Sequence, residues 1–223
     1  MKQLFFRNGV WPGEALLKTR IKMCGVTSIE EALQAVEAGV DALGLVFYPP
    51  SKRFVSVEKA SEIAFALPPF ITLVGLFVDA DEAAIQTVLD RVPLDLLQFH
   101  GNETDQECER WRRKYIKALR VRPGTSIEEC AAAYPGACGL LLDSYRKGVP
   151  GGTGEAFDWQ LIPDNLDKPI ILAGGLNPEN VSQAIEQVAP YAVDVSSGVE
   201  SGVENERGKD PEKMKAFVEA VKQ

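Results

Sequence analysis

The stretch from residue 169 to residue 198 reads PIILAGGLNPENVSQAIEQVAPYAVDVSSG and contains a strand, a helix and a second strand. Its two apolar runs cover residues 169–175 and 192–198, and between them apolar side chains recur at helical spacing. Asn177 and Pro178 precede the helical segment, and both residue types are typical of helix starts. Apolar runs with so few polar positions are typical of strands buried on both faces. The stretch therefore predicts one strand–helix–strand repeat of a parallel sheet.

The same alternation extends outward from this repeat to residue 20 and to the end of the chain. The predicted strands are residues 20–26, 42–47, 71–78, 94–101, 115–121, 139–144, 169–175 and 192–198. Most of the intervening helices have a start signal, a side chain that can accept a hydrogen bond from the first turn. These residues are Ser28, Ser56, Asp81, Thr104, Ser126 and the Asn177-Pro178 pair. The helix after Thr104 is predicted to reach residue 114. The sixth helix, near residues 157–162, is poorly signalled, whereas the eighth, residues 209–222, is clear.

Eight such units predict an α/β fold, a (β/α)8 TIM barrel with eight parallel strands. Closure is favoured because an open sheet of eight strands would leave two long edges exposed. A doubly wound open sheet is the alternative on periodicity alone. Residues 20–223 are expected to form one barrel domain, and residues 1–19 an N-terminal extension that carries no repeat.

Composition narrows the class of partner. The net charge of -8 and the pI near 4.9 disfavour binding to nucleic acid or to an anionic membrane. The four cysteines form no CxxC pair and the chain has a single histidine, so neither a metal site nor a disulfide framework is expected. No apolar run has the length of a membrane span or a signal peptide, which favours a cytoplasmic protein. A monomer or a homodimer is expected.

A barrel of this kind carries its chemistry at the carboxyl ends of its strands. Cys24 ends the first predicted strand, just before a helix start, and a helix start lowers the pKa of a nearby thiol. His100 and Asp143 end the fourth and sixth strands, and Arg53 lies in the loop after the second. Each also has an ordinary interpretation, as a buried cysteine, a packed histidine, a loop cap or a solvated arginine. Their common position at one mouth favours function.

The last two strands predict a phosphate site. Gly174 and Gly175 follow the seventh strand, and Ser196, Ser197 and Gly198 follow the eighth. Loops in these positions commonly bind phosphate through backbone N–H groups, and glycine lets the backbone approach the ligand. An anionic substrate could thus be bound despite the negative net charge. Lys209, further along the chain, is expected to lie away from this site.

Nine motifs in this order resemble those of the phosphoribosylanthranilate isomerase family. They are KMCG (22–25), SKRFVS (51–56), GLFV (75–78), LLQFHGNE (96–103), LLLDS (140–144), GGTGEAFDW (151–159), ILAGGLNPENV (171–181), VDVSSGVES (193–201) and GKDPEKM (208–214). The similarity runs from about Arg20 to Val221. The chain departs from the family pattern at Lys52, where proline is frequent, and at Glu155, where lysine is frequent.

The resemblance implies an activity, the Amadori rearrangement of N-(5-phosphoribosyl)anthranilate to 1-(2-carboxyphenylamino)-1-deoxyribulose 5-phosphate in tryptophan biosynthesis. It implies Cys24 as the general base and Asp143 as the general acid, with Arg53 and Asp194 near the anthranilate group. His100 is taken as a further substrate-binding residue. The glycines and serines after the last two strands resemble the family's phosphate loops. One acid and one base suffice, so no cofactor is implied.

Other activities remain open on the residues alone. A Schiff-base aldolase would need a lysine on a strand, and Lys22 and Lys117 are the candidates. A related isomerase of histidine biosynthesis, or a barrel acting on both substrates, would be expected to use two aspartates. The presence of Cys24 at the end of the first strand disfavours this two-aspartate alternative. A non-catalytic phosphate-binding barrel would require neither Cys24 nor Asp143.

Overall fold

Eight parallel strands form a closed barrel in the computed structural model, which describes residues 18–122, 124–144, 158–163, 166–202 and 208–223. The strands are β1 (Arg20–Cys24), β2 (Ala42–Val46), β3 (Thr72–Phe77), β4 (Leu96–Phe99), β5 (Tyr115–Val121), β6 (Gly139–Ser144), β7 (Ile170–Leu172) and β8 (Ala192–Val195). Each strand pairs with the next along the chain, and β8 pairs with β1. The predicted (β/α)8 barrel is confirmed, and the doubly wound alternative is wrong.

Helices follow the strands in the described part of the chain. They are α1 (Ile29–Ala38), α2 (Val57–Ala66), α3 (Glu82–Arg91), α4 (Asp105–Glu109), α5 (Ile127–Ala133), α6 (Val181–Val188) and α7 (Pro211–Lys222). Short 3-10 turns occur at Trp159–Leu161, where the weak sixth helix was predicted, and at Ser197–Val199. The predicted caps of the first five helices, from Ser28 to Ser126, each accept a hydrogen bond from the first turn.

The fourth and seventh predicted helices are shorter in the structure, and the eighth begins at Pro211 instead of residue 209. The fourth helix, expected to reach residue 114, ends at Glu109, and Arg112 adopts a left-handed backbone conformation with φ of 52°. A left-handed residue cannot continue a right-handed helix. The Asn177 carboxamide accepts from the N–H groups of Glu179 and Asn180, which holds this segment as a turn. The helix predicted from this point therefore begins later, at Val181.

The core has an inner and an outer layer because successive strand residues point to opposite faces. On β6, Leu141 packs in a small cluster with Ile116 and Ile171, whereas Leu140 and Leu142 belong to the large cluster that includes helix residues. Asp143 lies two residues after Leu141 and shares its inner face. The strand thus directs this carboxylate into the barrel mouth. No helix among the described residues is long and apolar enough to cross a membrane.

Candidate active site

A cavity of about 410 Å³ opens at the carboxyl ends of the barrel strands. Its volume is typical of sites that bind small organic molecules. The lining includes every predicted site residue except Gly198, namely Cys24, Arg53, His100, Asp143, Gly174, Gly175, Asp194, Ser196 and Ser197. The expected convergence of these strand ends on one mouth is confirmed. The roles assigned to the individual residues stay predictions.

Cys24 is the last residue of β1 and is buried. A Cβ atom built on Gly44 of β2 would lie 2.9 Å from Cys24 Sγ and 3.1 Å from Lys22 Nζ, so both side chains occupy the space that this glycine leaves open. Burial raises the pKa of the Cys24 thiol, and the charge of Lys22 offsets only part of that rise. The expectation that the following helix start lowers this pKa is therefore wrong, because the loss of hydration outweighs the nearby positive charges.

Lys22 forms a buried ion pair with Asp194. The Lys22 ammonium donates to Asp194 Oδ1 over 2.7 Å, and the two residues are register partners on the adjacent strands β1 and β8. Burial alone would lower the pKa of Lys22, but Asp194 and Cys24 outweigh burial and raise it. Lys22 is therefore an ammonium group at neutral pH. Asp194 lines the cavity, and one of its carboxylate oxygens already accepts a hydrogen bond from Lys22.

His100 contacts the predicted acid, Asp143. His100 Nε2 lies 3.2 Å from Asp143 Oδ2. The other ring nitrogen, Nδ1, lies 3.1 Å from Nε2 of Gln98, a buried amide two residues earlier on β4. Asp143 Oδ1 lies beside Gly174, where an added Cβ would be 2.9 Å away. His100 was expected only to bind substrate. In the structure it also contacts one carboxylate oxygen of Asp143.

Arg53 is oriented by Glu200. The Arg53 Nε group donates to Glu200 Oε1 over 2.6 Å, and Lys52 Nζ donates to Glu200 Oε2 over 2.9 Å. Arg53 Nη2 is buried without a hydrogen-bond partner among the described residues. Burial alone would raise the pKa of Glu200, but the hydrogen bonds from Arg53 and Lys52 outweigh it and lower this pKa. Glu200 is therefore a carboxylate at neutral pH, and the guanidinium has a buried N–H group left to bind an anion.

The loops after β7 and β8 are in direct contact. Gly174 and Gly175 have left-handed φ values of 80° and 71°. A Cβ atom at Gly198 would collide with the carbonyl oxygen of Leu176, so glycine is needed where the two loops meet. Among the described residues, no backbone carbonyl accepts from the N–H groups of Gly175 or Ser197. Gly198 thus packs the loops together, while Ser196 and Ser197 line the cavity.

Lys209 lies beside the cavity wall instead of away from it. This lysine is buried and its ammonium donates to the carbonyl oxygen of Ser196 over 3.2 Å. Its backbone N–H donates to Glu31 of α1. Burial lowers the pKa of Lys209 to about 8. The expectation of a remote Lys209 is wrong because the chain after Gly208 returns to pair with Glu200.

Sequence reasoning missed three polar residues that hold the predicted ones, namely Lys22, Gln98 and Glu200. A signal existed for two of them. Lys22 lies two residues before Cys24, and Gln98 two before His100, so the period of a strand places each pair on one face. Glu200 had no comparable signal, because its partner Arg53 lies 147 positions away in the chain.

The described residues form no candidate metal centre, and they do not include Glu155, one of the two departures from the family pattern. Within those ranges, no group of three or more His, Cys, Asp or Glu side chains could hold a metal ion. Glu155 lies outside the described residues, as do residues 1–17 of the predicted N-terminal extension. Lys52, the first departure, is an exposed residue paired with Glu200.

Comparisons with known proteins identify the family. The sequence profile described as N-(5'-phosphoribosyl)anthranilate (PRA) isomerase matches residues 21–220. The N-(5'-phosphoribosyl)anthranilate isomerase of Pseudomonas fluorescens (strain SBW25) is 62% identical over 204 residues, which are 91% of this chain and 95% of that protein. The crystal structure of phosphoribosyl anthranilate isomerase from Thermotoga maritima has a TM-score of 0.82 and 41% identity, covering 92% of this chain and 98% of that one.

A second solved structure contains a bound ligand. It is phosphoribosyl anthranilate isomerase in complex with reduced 1-(o-carboxyphenylamino)-1-deoxyribulose 5-phosphate, with a TM-score of 0.76 and 38% identity. The match covers 92% of this chain and 98% of that one. The fold, the matched length and these identities agree with one another, and the chain belongs to the N-(5'-phosphoribosyl)anthranilate isomerase family.

Proposed function

We propose that this chain converts N-(5'-phosphoribosyl)anthranilate to 1-(2-carboxyphenylamino)-1-deoxyribulose 5-phosphate, an isomerisation of tryptophan biosynthesis. One observation carries the proposal. A thiol and a carboxylic acid, Cys24 and Asp143, line the same cavity as two glycine-containing loops suited to phosphate. Isomerisation of the N-(5'-phosphoribosyl)anthranilate named for the related proteins needs this combination of an acid, a base and an anion site.

The acid acts first. Asp143 gives its proton to the furanose ring oxygen, the bond from that oxygen to C1' breaks, and the amino nitrogen lone pair forms a Schiff base. Cys24, as thiolate, then removes the C2' proton, and the electron pair returns to nitrogen to give an enolamine. The enolamine tautomerises to the ketone, with a proton leaving the C2' hydroxyl and one arriving at C1'. Substrate and product are isomers, so the reaction consumes no oxidant or reductant.

Cys24 needs counter-charges in order to act as a base. Burial raises its pKa, and the positive charges of Lys22 and Lys209 act in the opposite direction. Lys22 shares the space over Gly44 with the thiol. We infer that Lys22 stabilises the thiolate while its own position is held by Asp194. This arrangement places the base and its counter-ion on one face of β1.

Arg53 and the loops after β7 and β8 bind the two ends of the substrate. The unpartnered Nη2 group of Arg53 suits the anthranilate carboxylate, since a guanidinium donates strong charge-assisted hydrogen bonds to such a group. The N–H groups near Gly175 and Ser197 suit the phosphate. His100 and Asp194 line the same cavity as the base and the acid. A cytoplasmic location and assembly as a monomer or homodimer stay predictions.

The aldolase alternative requires a neutral lysine, and both candidate lysines are ion-paired. Lys22 is held by Asp194, and Lys117 donates to Glu103 over 2.7 Å and to the carbonyl oxygen of Gly101. A Schiff-base lysine must lose its proton before it attacks a carbonyl. Each carboxylate partner stabilises the ammonium form instead. The arrangement therefore disfavours this chemistry at either position.

The experiment that tests the proposal is turnover of freshly generated phosphoribosylanthranilate by the purified chain. Loss of the substrate's fluorescence reports the isomerisation. Rapid, enzyme-dependent loss supports the proposal, and an unchanged signal would refute it.

A further inference from the structure

Gln98 is a buried amide that the proposed reaction does not use. Its side-chain Nε2 lies 3.1 Å from His100 Nδ1, and its Oε1 is buried without a hydrogen-bond partner among the described residues. His100 in turn lies 3.2 Å from Asp143, through its other ring nitrogen. The three side chains form a row that ends at the proposed acid.

The direction of the hydrogen bonds in this row follows from the groups at its two ends. With Nε2 of Gln98 facing the ring, Nδ1 of a neutral imidazole is the acceptor and the ring proton lies on Nε2. His100 Nε2–H then donates to Asp143 Oδ2. Reversing the amide would bury a nitrogen with two unsatisfied N–H groups in place of one oxygen, which is less favourable.

We propose that Gln98 is a positioning residue that keeps His100 in the Nε2–H tautomer, so that His100 holds Oδ2 of Asp143 and leaves Oδ1 to carry the transferred proton. Oδ1 lies beside Gly174, which lines the cavity. The same hydrogen bond from His100 can form in both protonation states of Asp143. Oδ2 accepts from His100 before the proton leaves Oδ1, and the resulting carboxylate keeps the same hydrogen bond afterwards. The inference rests on the proposed role of Asp143.

The chain offers a direct spectroscopic test because His100 is its single histidine. The ¹⁵N shifts of the two ring nitrogens, measured at neutral pH on the untagged full chain, distinguish a protonated from an unprotonated nitrogen. We expect Nε2 to be protonated and Nδ1 unprotonated. A proton on Nδ1, in the other tautomer or in the imidazolium, would overturn the assignment whether or not the chain turns over substrate.

Variants connect the tautomer to catalysis. Gln98→Glu presents only acceptors to the ring, so a proton should move to Nδ1 and kcat should fall about tenfold, with KM changed less than about threefold. Gln98→Met, which removes the donor without adding charge, covers the case in which the glutamate prevents folding. We expect it to lose the single tautomer and to lower kcat also. Gln106→Glu on exposed α4 is the matched control.

Wild-type turnover separately tests the proposed function. Wild-type activity with an unchanged tautomer and unchanged kcat in both Gln98 variants would refute the positioning role alone. A wild type without turnover would refute the function, while the ring-nitrogen shifts would still decide the tautomer.

Discussion

Lys22 Nζ and Asp194 Oδ1 lie 2.7 Å apart in the wall of the barrel, where β1 and β8 close the sheet. Both side chains are less than a tenth exposed. The pair therefore links the first and last strands. It also holds the positive charge of Lys22 beside Cys24. A buried ion pair of this kind is weak evidence for stability as a whole, but removal of one partner leaves the other charge buried and unpaired.

Asp194→Asn should destabilise the fold by about 3 kcal/mol, because Lys22 loses its buried counter-charge. The free energy of unfolding in urea measures the effect. Glu62→Gln, which removes the exposed pair with Lys59, is the control and should change the free energy by less than about 1 kcal/mol. Equal effects from the two substitutions would show that the Lys22–Asp194 pair is not needed for the closed barrel.

The Cys24 thiol should titrate above the ordinary thiol pKa, because burial outweighs the positive charge of Lys22. The thiolate fraction should therefore rise with pH and reach one half only above the ordinary thiol pKa. The thiolate absorbance of wild type minus that of Cys24→Ser, followed as a function of pH, measures this fraction. A thiol already ionised below pH 7 would contradict the burial argument.

Cys24→Ser should lower turnover by about 10²-fold or more while product binding is retained, because an alcohol is a far weaker base than a thiolate. Cys130→Ser is the control, since Cys130 lies on α5 and does not line the cavity. Steady-state kinetics and equilibrium binding of the product separate the two effects. Near-normal turnover of the Cys24 variant would remove this residue from the mechanism.

Glu200→Ala should raise KM and lower kcat/KM about tenfold, because Arg53 loses the carboxylate that holds its Nε group. Glu58→Ala on α2 removes an exposed pair with Arg91 and should leave both constants unchanged. Arg53→Lys should also lower kcat/KM, because the planar fork is lost although the charge remains. An unaltered KM in Glu200→Ala would mean that Arg53 keeps its orientation without this partner.

Gly174→Ala should raise KM and weaken competition by inorganic phosphate, because the added Cβ would collide with the backbone N of Ser144. Gly124→Ala is a close control. Gly124 also has a left-handed φ, 85° against 80° for Gly174, but nothing lies within 4 Å of its added Cβ. The backbone strain is thus similar and the crowding is not. Equal changes in KM would place the phosphate away from the loop after β7.

The sequence predicted elements better than it predicted contacts. Capping residues and apolar runs are local signals, so the strands and the first five helix starts could be predicted. The left-handed conformation of Arg112, shortly after the end of α4, could not be predicted. Cys24 and Asp143 were predicted at strand ends. The partners Glu200 and Lys209 were not, because their contacts depend on how the chain returns after β8. The pKa of Cys24 was predicted in the wrong direction because burial cannot be read from a helix start alone.

In the proposed reaction, Cys24 and Asp143 isomerise phosphoribosylanthranilate as a base and acid pair. The most direct test compares wild type with Asp143→Asn on freshly generated phosphoribosylanthranilate, followed by the loss of substrate fluorescence. We expect rapid loss with wild type and a rate about 10²-fold lower with Asp143→Asn, because an amide cannot give a proton to the ring oxygen. A full rate in the asparagine variant, or no turnover by wild type, would contradict the claim.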